Sequence, residues 1–410
     1  MAFTRSPETG APATYTGTDA VDTLILADQA SDITISGLAG DDGIVLSAAA
    51  LAANALSGYK VYGNDGDDTI SITAAQLSSS TVQGGGGDDI ITSTAGANVL
   101  GSVVRGGAAD DTLFVRSLNQ STVNGNKGTD TITVTGNAFS SRVYGGSEND
   151  TINIGNGVGA TLTGGAGTRF NGSKGADTLA ATAAANLTGA SLFGGEGGDN
   201  ITVAATNAST LYLSGDKGSD IITATGVTVG GEVFGGEGND FITVGGAAAG
   251  DAFDIDAGVG ADTITLVGGA TGTDTITFSR GDSVAATTSN FAVATAGSID
   301  DTDTITFGSG VDTITNFVTG TDVVDIDIAV PGALTAVAAA DSTTTNTLAP
   351  TAILELRGGL AGNVFTVDLA AGADYLYVVG GGNATYGSVL NNSTNAFVSV
   401  GAQLAITDFD

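Results

Sequence analysis

The sequence contains neither cysteine nor histidine. Without cysteine the chain forms no disulfide and supplies no thiolate, and without histidine it lacks the commonest general base and the usual zinc ligand. Catalytic triads and most metal-dependent hydrolases are therefore excluded. Carboxylate pairs of the glycosidase type are not indicated, because each carboxylate has a place in a repeat or on an exposed face. We predict that the protein is not an enzyme.

Tryptophan is absent, aromatic residues make up 6% of the chain, and 11 lysine and arginine residues stand against 44 aspartate and glutamate residues. The core must therefore be narrow and built from Val, Ile, Leu and Ala. The formal net charge of −33 argues against nucleic acid as a partner, since the phosphate backbone would be repelled. No apolar run approaches ~18 residues, so no transmembrane segment is expected.

Glycine is abundant, with 65 residues against four prolines, which favours turn-dense β structure. A pattern G-G-x-G-x-D followed by a short alternating strand recurs along the chain, and its clearest copy is Gly235–Val244. Most steps between copies are 19 to 22 residues. This period predicts coils that each hold one such loop and two strands, stacked ~4.8 Å apart. The sixth-position aspartates that mark the copies are Asp22, Asp42, Asp68, Asp89, Asp111, Asp130, Asp150, Asp177, Asp199, Asp220, Asp240 and Asp262.

Two apolar ladders predict the inner walls of these coils. After the loop, residues such as Ile132 and Val134 alternate with threonines, so they point inward and the threonines outward. Before the loop, an apolar residue stands two positions ahead of the first glycine: Val61, Val82, Val104, Val123, Val143, Leu192, Leu213 and Val233. We interpret both ladders as core packing. Binding of an ordered surface by the outward threonines is a less favoured alternative.

The repeat resembles the glycine- and aspartate-rich nonapeptide of RTX, or hemolysin-type, calcium-binding proteins. The resemblance implies an all-β fold, a right-handed parallel β-roll or β-helix solenoid, here with about twelve coils. It also implies multiple Ca2+ ions, bound by backbone carbonyls at loop positions one and three and by the sixth-position carboxylate, and shared between neighbouring coils. Such hard oxygen ligands suit Ca2+. One loop per coil, where RTX coils usually have two, predicts a single column of ions.

The resemblance assigns as metal ligands the first, third and sixth positions of the four best-matching loops, the marker aspartates of six further loops and three aspartates of the region 268–330. The set is Gly63, Asp65, Asp68, Gly84, Gly86, Asp89, Asp111, Asp130, Asp150, Asp177, Gly194, Glu196, Asp199, Asp220, Gly235, Glu237, Asp240, Asp262, Asp303, Asp312 and Asp322. Ala109 and Glu148 replace the fourth-position glycine, so their turns are expected to be strained or empty. Three loops have a lysine at the third position, and for these the sequence does not decide whether a metal binds. The lysines are Lys127, Lys174 and Lys217. The alternative is that the Asp-Gly loops only shape turns.

Four regions are predicted along the chain. They are an N-terminal arm (1–16), the calcium-binding β-solenoid (17–267), an RTX-like cap (268–330) and a C-terminal β region (331–410). A cap is required because an open last coil exposes strand edges and core. The final Leu404–Asp410 resembles the C-terminal signal of RTX proteins, which a one-step (type I) machine exports without cleavage. With no N-terminal secretory signal visible, we expect an extracellular or cell-surface location.

Three functions fit these features. The first is a calcium-dependent extracellular structural protein, a self-assembling subunit of an RTX-type surface layer (S-layer), because no effector domain is attached. Its expected partners are further copies in a lattice or filament, with cell-surface polysaccharide as another candidate. The second is an adhesin, filament or viral-fibre spacer with a calcium-stabilised solenoid. The third, and weakest, is the secretion and folding module of an exported enzyme, since the repeats fill most of the chain.

Overall fold

The structure is a computed structural model. It describes residues 3–6, 13–26, 31–47, 55–94, 97–155, 167–182, 187–204, 209–225, 227, 229–245, 252–267, 275–279, 290–292, 304–306, 312–315, 323–327, 335–338, 347–348, 352–361, 364–367, 374–380, 387–388 and 400–407. Every regular element in these ranges is a β-strand. No helix long and apolar enough to cross a lipid bilayer occurs within them.

The strands are short, most having three to seven residues. In chain order they begin with β1 (Thr4–Ser6), β2 (Ala13–Thr16), β3 (Thr23–Leu26), β4 (Ile33–Ala39), β5 (Gly43–Leu46), β6 (Ala55–Ser57), β7 (Lys60–Asp65), β8 (Thr69–Ile72), β9 (Gln76–Ser78), β10 (Thr81–Gly86), β11 (Ile90–Ser93), β12 (Asn98–Leu100), β13 (Val103–Ala108), β14 (Thr112–Val115), β15 (Ser117–Asn119), β16 (Thr122–Lys127), β17 (Thr131–Val134), β18 (Ala138–Phe139), β19 (Arg142–Ser147), β20 (Thr151–Ile154) and β21 (Arg169–Lys174). The remainder are β22 (Thr178–Ala181), β23 (Ser191–Glu196), β24 (Asn200–Val203), β25 (Ser209–Lys217), β26 (Ile221–Thr225), β27 (Val229–Glu237), β28 (Phe241–Gly245), β29 (Phe253–Val259), β30 (Thr263–Leu266), β31 (Thr275–Ser279), β32 (Asn290–Ala292), β33 (Thr304–Thr306), β34 (Asp312–Thr315), β35 (Val323–Asp327), β36 (Thr335–Ala338), β37 (Thr347–Leu348), β38 (Ala352–Ala361), β39 (Val364–Val367), β40 (Asp374–Gly380), β41 (Gly387–Ser388) and β42 (Val400–Thr407).

The chain divides into two compact units, residues 1–214 with 226–229 and residues 215–225 with 230–410. In the first unit, sheet A runs β1-β2-β4-β7-β10-β13-β16-β19-β21-β23 and sheet B runs β3-β5-β8-β11-β14-β17-β20-β22-β24. Apart from the antiparallel β1–β2 pair, each strand pairs in parallel with its counterpart one repeat further along. This arrangement is a parallel β-solenoid, which confirms the predicted all-β fold.

A third, short sheet is present that the two-strand prediction missed. Sheet C runs β6-β9-β12-β15-β18 in the first unit, and its central residues such as Leu77 and Val99 are buried. A repeat of about 20 residues leaves enough chain for this extra strand once sheets A and B have taken four to six residues each. A buried serine then turns the chain back to sheet A. The Ser80 N–H donates to Oγ of Ser102 at 3.0 Å, and the Ser102 N–H donates to Oγ of Ser121 at 3.2 Å.

The core lies inside the coils and consists of the two predicted ladders together with the central residues of sheet C. Ile132 and Val134 of sheet B are fully buried, while Thr131 and Thr133 beside them are half-buried. Burial of one such aliphatic side chain contributes roughly 1.5–3 kcal/mol. The sheet A ladder is equally buried, at 0% exposure for Val61, Val82, Val104, Val123, Val143, Leu192, Leu213 and Val233.

In the second unit the parallel pairing continues, with β26-β28-β30-β34 in one sheet and β27-β29-β31-β35 in another. Farther along the chain, antiparallel pairs appear, among them β38–β40 and β40–β42. The last strand, β42, contains most of the predicted export signal and also pairs in parallel with β34, where Leu404 is the register partner of Asp312. Residues of the predicted cap and of the predicted C-terminal region therefore share one sheet.

Candidate metal centre

The glycine-rich loop links each strand of sheet A to the following strand of sheet B, and its backbone alternates in handedness. The second and fourth loop positions adopt a left-handed φ, for example 136° at Gly85 and 115° at Gly87. Non-glycine residues keep the same geometry: φ is 81° at Asn64, 83° at Ala109 and 74° at Glu148. The expected strain at the last two is therefore present, at about 1–2 kcal/mol per residue, but the turn is retained.

The twelve marker aspartates are all buried, with at most 2% of each residue exposed. In the first unit the N–H of each marker aspartate from Asp22 to Asp177 donates to Oδ1 of the next one along the chain, and in the second unit the same bonds join Asp220 to Asp240 and Asp240 to Asp262. The Asp89 N–H donates to Oδ1 of Asp111 at 2.8 Å, and the Asp111 N–H donates to Oδ1 of Asp130 at 2.8 Å. The Asp89 carbonyl accepts a hydrogen bond from the Thr112 N–H at 2.8 Å. We call this arrangement the aspartate column.

The second carboxylate oxygen has no such role in most of the column. Within the described part of the chain, Oδ2 is buried and without a hydrogen-bond partner in Asp42, Asp68, Asp89, Asp111, Asp130, Asp150, Asp177 and Asp240. An ionised oxygen in this position loses its hydration and gains nothing in return, which is strongly unfavourable. Each of these oxygens therefore needs a proton or a cation.

The pKa values of several aspartates in the column are raised, which also indicates that the ionised carboxylates are not stabilised by the protein alone. Burial, together with repulsion from the neighbouring carboxylates of Asp89 and Asp130, raises the pKa of Asp111 to about 8. Burial likewise raises the pKa of Asp150 to about 8 and that of Asp68 to about 6. At neutral pH the column is poised between the protonated and the ionised form unless a cation is bound.

The first loop position forms a cradle beside this oxygen. A Cβ at Gly63 would collide with Oδ2 of Asp68 and lie 2.6 Å from the carbonyl oxygen of Gly84 in the next coil. Glycine is required at this position because a side chain would occupy the space beside these oxygens. A left-handed backbone is not the reason, since the φ of Gly63 is not left-handed. The carboxylate oxygen of one coil and the first-position carbonyl of the next thus converge at one point. The same convergence recurs at Gly125, Gly145 and Gly215.

The carbonyl groups at the third loop position, which were also predicted to bind the metal, are engaged in hydrogen bonds between coils. The carbonyl of Gly86 accepts a hydrogen bond from the Gly66 N–H at 2.7 Å, and the carbonyls of Asp65, Glu196 and Glu237 accept equivalent bonds from the preceding coil. Their side chains are exposed. The lysines at the third position, Lys127, Lys174 and Lys217, are also exposed, so their ammonium groups do not enter the cradle. The structure thus brings together the first and sixth positions and engages the third in coil-to-coil hydrogen bonds.

Three predicted ligands are not placed. Asp303 and Asp322 lie outside the described residues, and so does the side chain of Asp312, whose backbone begins β34. The fifth loop position, in contrast, was overlooked. There the exposed carboxylates of Asp67 and Asp88 accept hydrogen bonds from the backbone N–H of the following coil, at 2.8 and 3.0 Å. The recurring Asp-Asp pairs of the sequence were the signal that could have revealed this second ladder.

The donor set of the cradle suits a hard cation. It offers anionic carboxylate and carbonyl oxygens, the ligands that Ca2+ prefers, and the chain has no imidazole or thiolate for softer metals. In the described residues no three acidic side chains converge on one point, so backbone carbonyls or water would have to complete any coordination shell. The unpartnered oxygens and the cradle therefore fit Ca2+.

Fold and site together define a parallel β-solenoid whose coils are joined by a buried aspartate column. No family model and no curated protein matches the chain. A solved structure, described as a hyperactive, Ca2+-dependent, β-helical antifreeze protein from an Antarctic bacterium, is similar over 64% of this chain and 84% of that chain, at 22% identity and a TM-score of 0.37. Similarity at this level says nothing about the function of this chain.

Proposed function

We propose that the protein is a calcium-dependent extracellular structural protein that binds Ca2+ along its aspartate column. The observation that carries this proposal is the set of buried Oδ2 atoms without a hydrogen-bond partner, each facing a glycine cradle. Cations at these oxygens would remove the repulsion between coils and supply stabilisation that the metal-free chain lacks. The first-position carbonyls and sixth-position carboxylates would hold the ions.

We further propose that the protein self-assembles at a cell surface as an S-layer subunit and has no catalytic role. A chain without histidine or cysteine lacks the usual catalytic groups, and its repeats fill most of its length. The net charge of −33 opposes association in plain buffer, so Ca2+ would act as the switch for assembly. Extracellular calcium is abundant enough to fill weak sites of this kind.

Isothermal calorimetry with Ca2+, and with Mg2+ as the control, tests the metal proposal. We expect several Ca2+ ions per chain and much weaker binding of Mg2+, which demands a more regular octahedral shell. Absence of Ca2+ binding would leave the aspartate column as a turn-forming device only. Electron microscopy in millimolar Ca2+ tests assembly: sheets or filaments support the S-layer role, whereas isolated particles favour the spacer alternative.

A further inference from the structure

The outward face of sheet A in the first unit differs in charge from the rest of the chain. Each of the seven strands β7, β10, β13, β16, β19, β21 and β23 has two outward side chains ahead of its glycine-rich loop, and none of these is aspartate or glutamate. Four of the 11 cationic residues of the chain are there: Lys60, Arg105, Arg142 and Arg169. In a protein with 44 acidic residues, this face is a local cationic surface.

Two of these cations are direct neighbours. Arg142 of β19 and Arg169 of β21 are register partners, and both are exposed. Like charges opposite each other on adjacent strands are destabilising. The Arg169 guanidinium lies 3.6 Å from the ring centroid of Phe193, a cation–π contact that holds it on the face without neutralising it. The pair therefore presents two positive charges from adjacent strands.

The second unit carries the opposite pair at the same position of the repeat. Glu232 of β27 and Asp254 of β29 are register partners, and both are exposed. Glu232 stands three residues ahead of the first loop glycine, Gly235, as Arg142 stands three residues ahead of Gly145. Because the repeat position and the strand pairing are the same, the backbones of the two acidic residues have the same spacing as those of the two arginines, one strand step of about 4.8 Å.

We propose that the Arg142–Arg169 pair of one copy contacts the Glu232–Asp254 pair of a second copy of this chain. This inference rests on the proposed self-assembly and names the faces that meet. Each pair consists of like charges that repel one another, and a single contact neutralises both. Tyr144 and Phe193 lie on the same cationic face, and tyrosine, phenylalanine and arginine are enriched in protein–protein interfaces.

Sedimentation equilibrium in millimolar Ca2+ tests the contact with charge-matched variants. Arg142→Gln with Arg169→Gln removes two positive charges from the cationic face. Thr92→Glu with Thr133→Glu changes the net charge equally on the outward face of sheet B, away from the aspartate column, and serves as the control. We expect the first variant to self-associate at least about tenfold more weakly and the control to match the parent. Circular dichroism verifies that both are folded.

A charge-swap experiment then tests the pairing itself. Arg142→Glu with Arg169→Glu gives one variant, and Glu232→Lys with Asp254→Lys gives the other. Each alone should associate weakly, and an equimolar mixture should form mixed assemblies that weaken as NaCl is raised. A mixture that does not associate, although the parent does, overturns this contact and leaves self-assembly standing.

Other results separate this contact from the proposed function. A parent chain that stays monomeric in Ca2+ at high concentration refutes self-assembly, and the contact with it. If that monomer instead binds a hyaluronan oligosaccharide, but not a neutral dextran oligosaccharide, and loses this binding on Arg142→Gln with Arg169→Gln, the cationic face serves an acidic glycan and the assignment to a second copy is wrong.

Discussion

The backbone N–H of Asp89 donates to Oδ1 of Asp111 at 2.8 Å, and Oδ2 of the same carboxylate is buried without a hydrogen-bond partner in the described structure. One oxygen therefore joins the coils, while the other, when the group is ionised, carries a charge that the fold does not compensate. Repeated along the column, this division of roles makes coil stacking depend on whatever neutralises the second oxygen.

Removal of calcium should unfold or loosen the solenoid. In excess EDTA the column contains closely stacked carboxylates with raised pKa values, and their repulsion opposes the stacking of coils. We expect the β signal in far-ultraviolet circular dichroism to fall at about pH 8 and to return when Ca2+ is added. A β spectrum and melting curve that EDTA leaves unchanged would contradict the metal proposal.

Asp111→Asn should have opposite effects with and without calcium. In Ca2+ the loss of an anionic ligand should lower the ion stoichiometry and cost roughly 1–3 kcal/mol of unfolding free energy. In EDTA the same change removes a buried charge from the column, so the variant should be more stable than the parent. Asp110→Asn, at the exposed fifth position, is the matched control and should change either value by less than ~0.5 kcal/mol. Equal behaviour of the two variants would show that Asp111 is only a turn former.

The pH dependence of stability should change sign with calcium. Burial raises the pKa of Asp89 to about 7 and that of Asp150 to about 8, above the ordinary value of 3.8, so the metal-free folded state binds more protons than the unfolded state over this range. This contribution to stability is fully present below about pH 4 and is lost as pH rises to about 8. Thermal melts in EDTA should therefore give a higher midpoint at about pH 5 than at about pH 8.

In saturating Ca2+ the order should reverse, because protons compete with the metal for the same oxygens. Melts at the two pH values, with and without Ca2+, complete the comparison. The same pH trend in both series would mean that the column binds no metal.

Much of the fold could be predicted because the same pattern of apolar residues and glycine-rich loops recurs along the sequence. The apolar residue two positions before each loop, as at Val61 and Val82, fixes the inward face of sheet A, and the step of about 20 residues brings each copy onto the next. Each of these signals recurs many times, so a few irregular loops do not obscure it.

The remainder depends on which atoms meet between coils, and spacing alone does not carry that information. The third-position carbonyl of Gly86 is as good a ligand by type as the first-position carbonyl of Gly84, yet only the former accepts a hydrogen bond from the Gly66 N–H. Sheet C was missed for a related reason. Its strands have two or three residues each, too few to show a clear alternation.

The cradle itself can be filled by a single methyl group. In Gly84→Ala the new Cβ would collide with Oδ2 of Asp89 and lie 2.6 Å from its Cβ, so the carboxylate must move away from the point where the oxygens converge. Gly86→Ala, two residues along the same loop, would place its Cβ 3.8 Å from Oδ1 of Asp65, an ordinary contact, and neither glycine has a left-handed φ. We therefore expect Gly84→Ala to lower calcium stoichiometry and to destabilise the calcium-bound form by about 1–3 kcal/mol. Gly86→Ala should bind calcium normally and be neutral or slightly stabilised, by up to about 1 kcal/mol. Calorimetric titration and thermal melts of the two variants provide the test, and equal calcium binding by both would refute the assignment of the cradle.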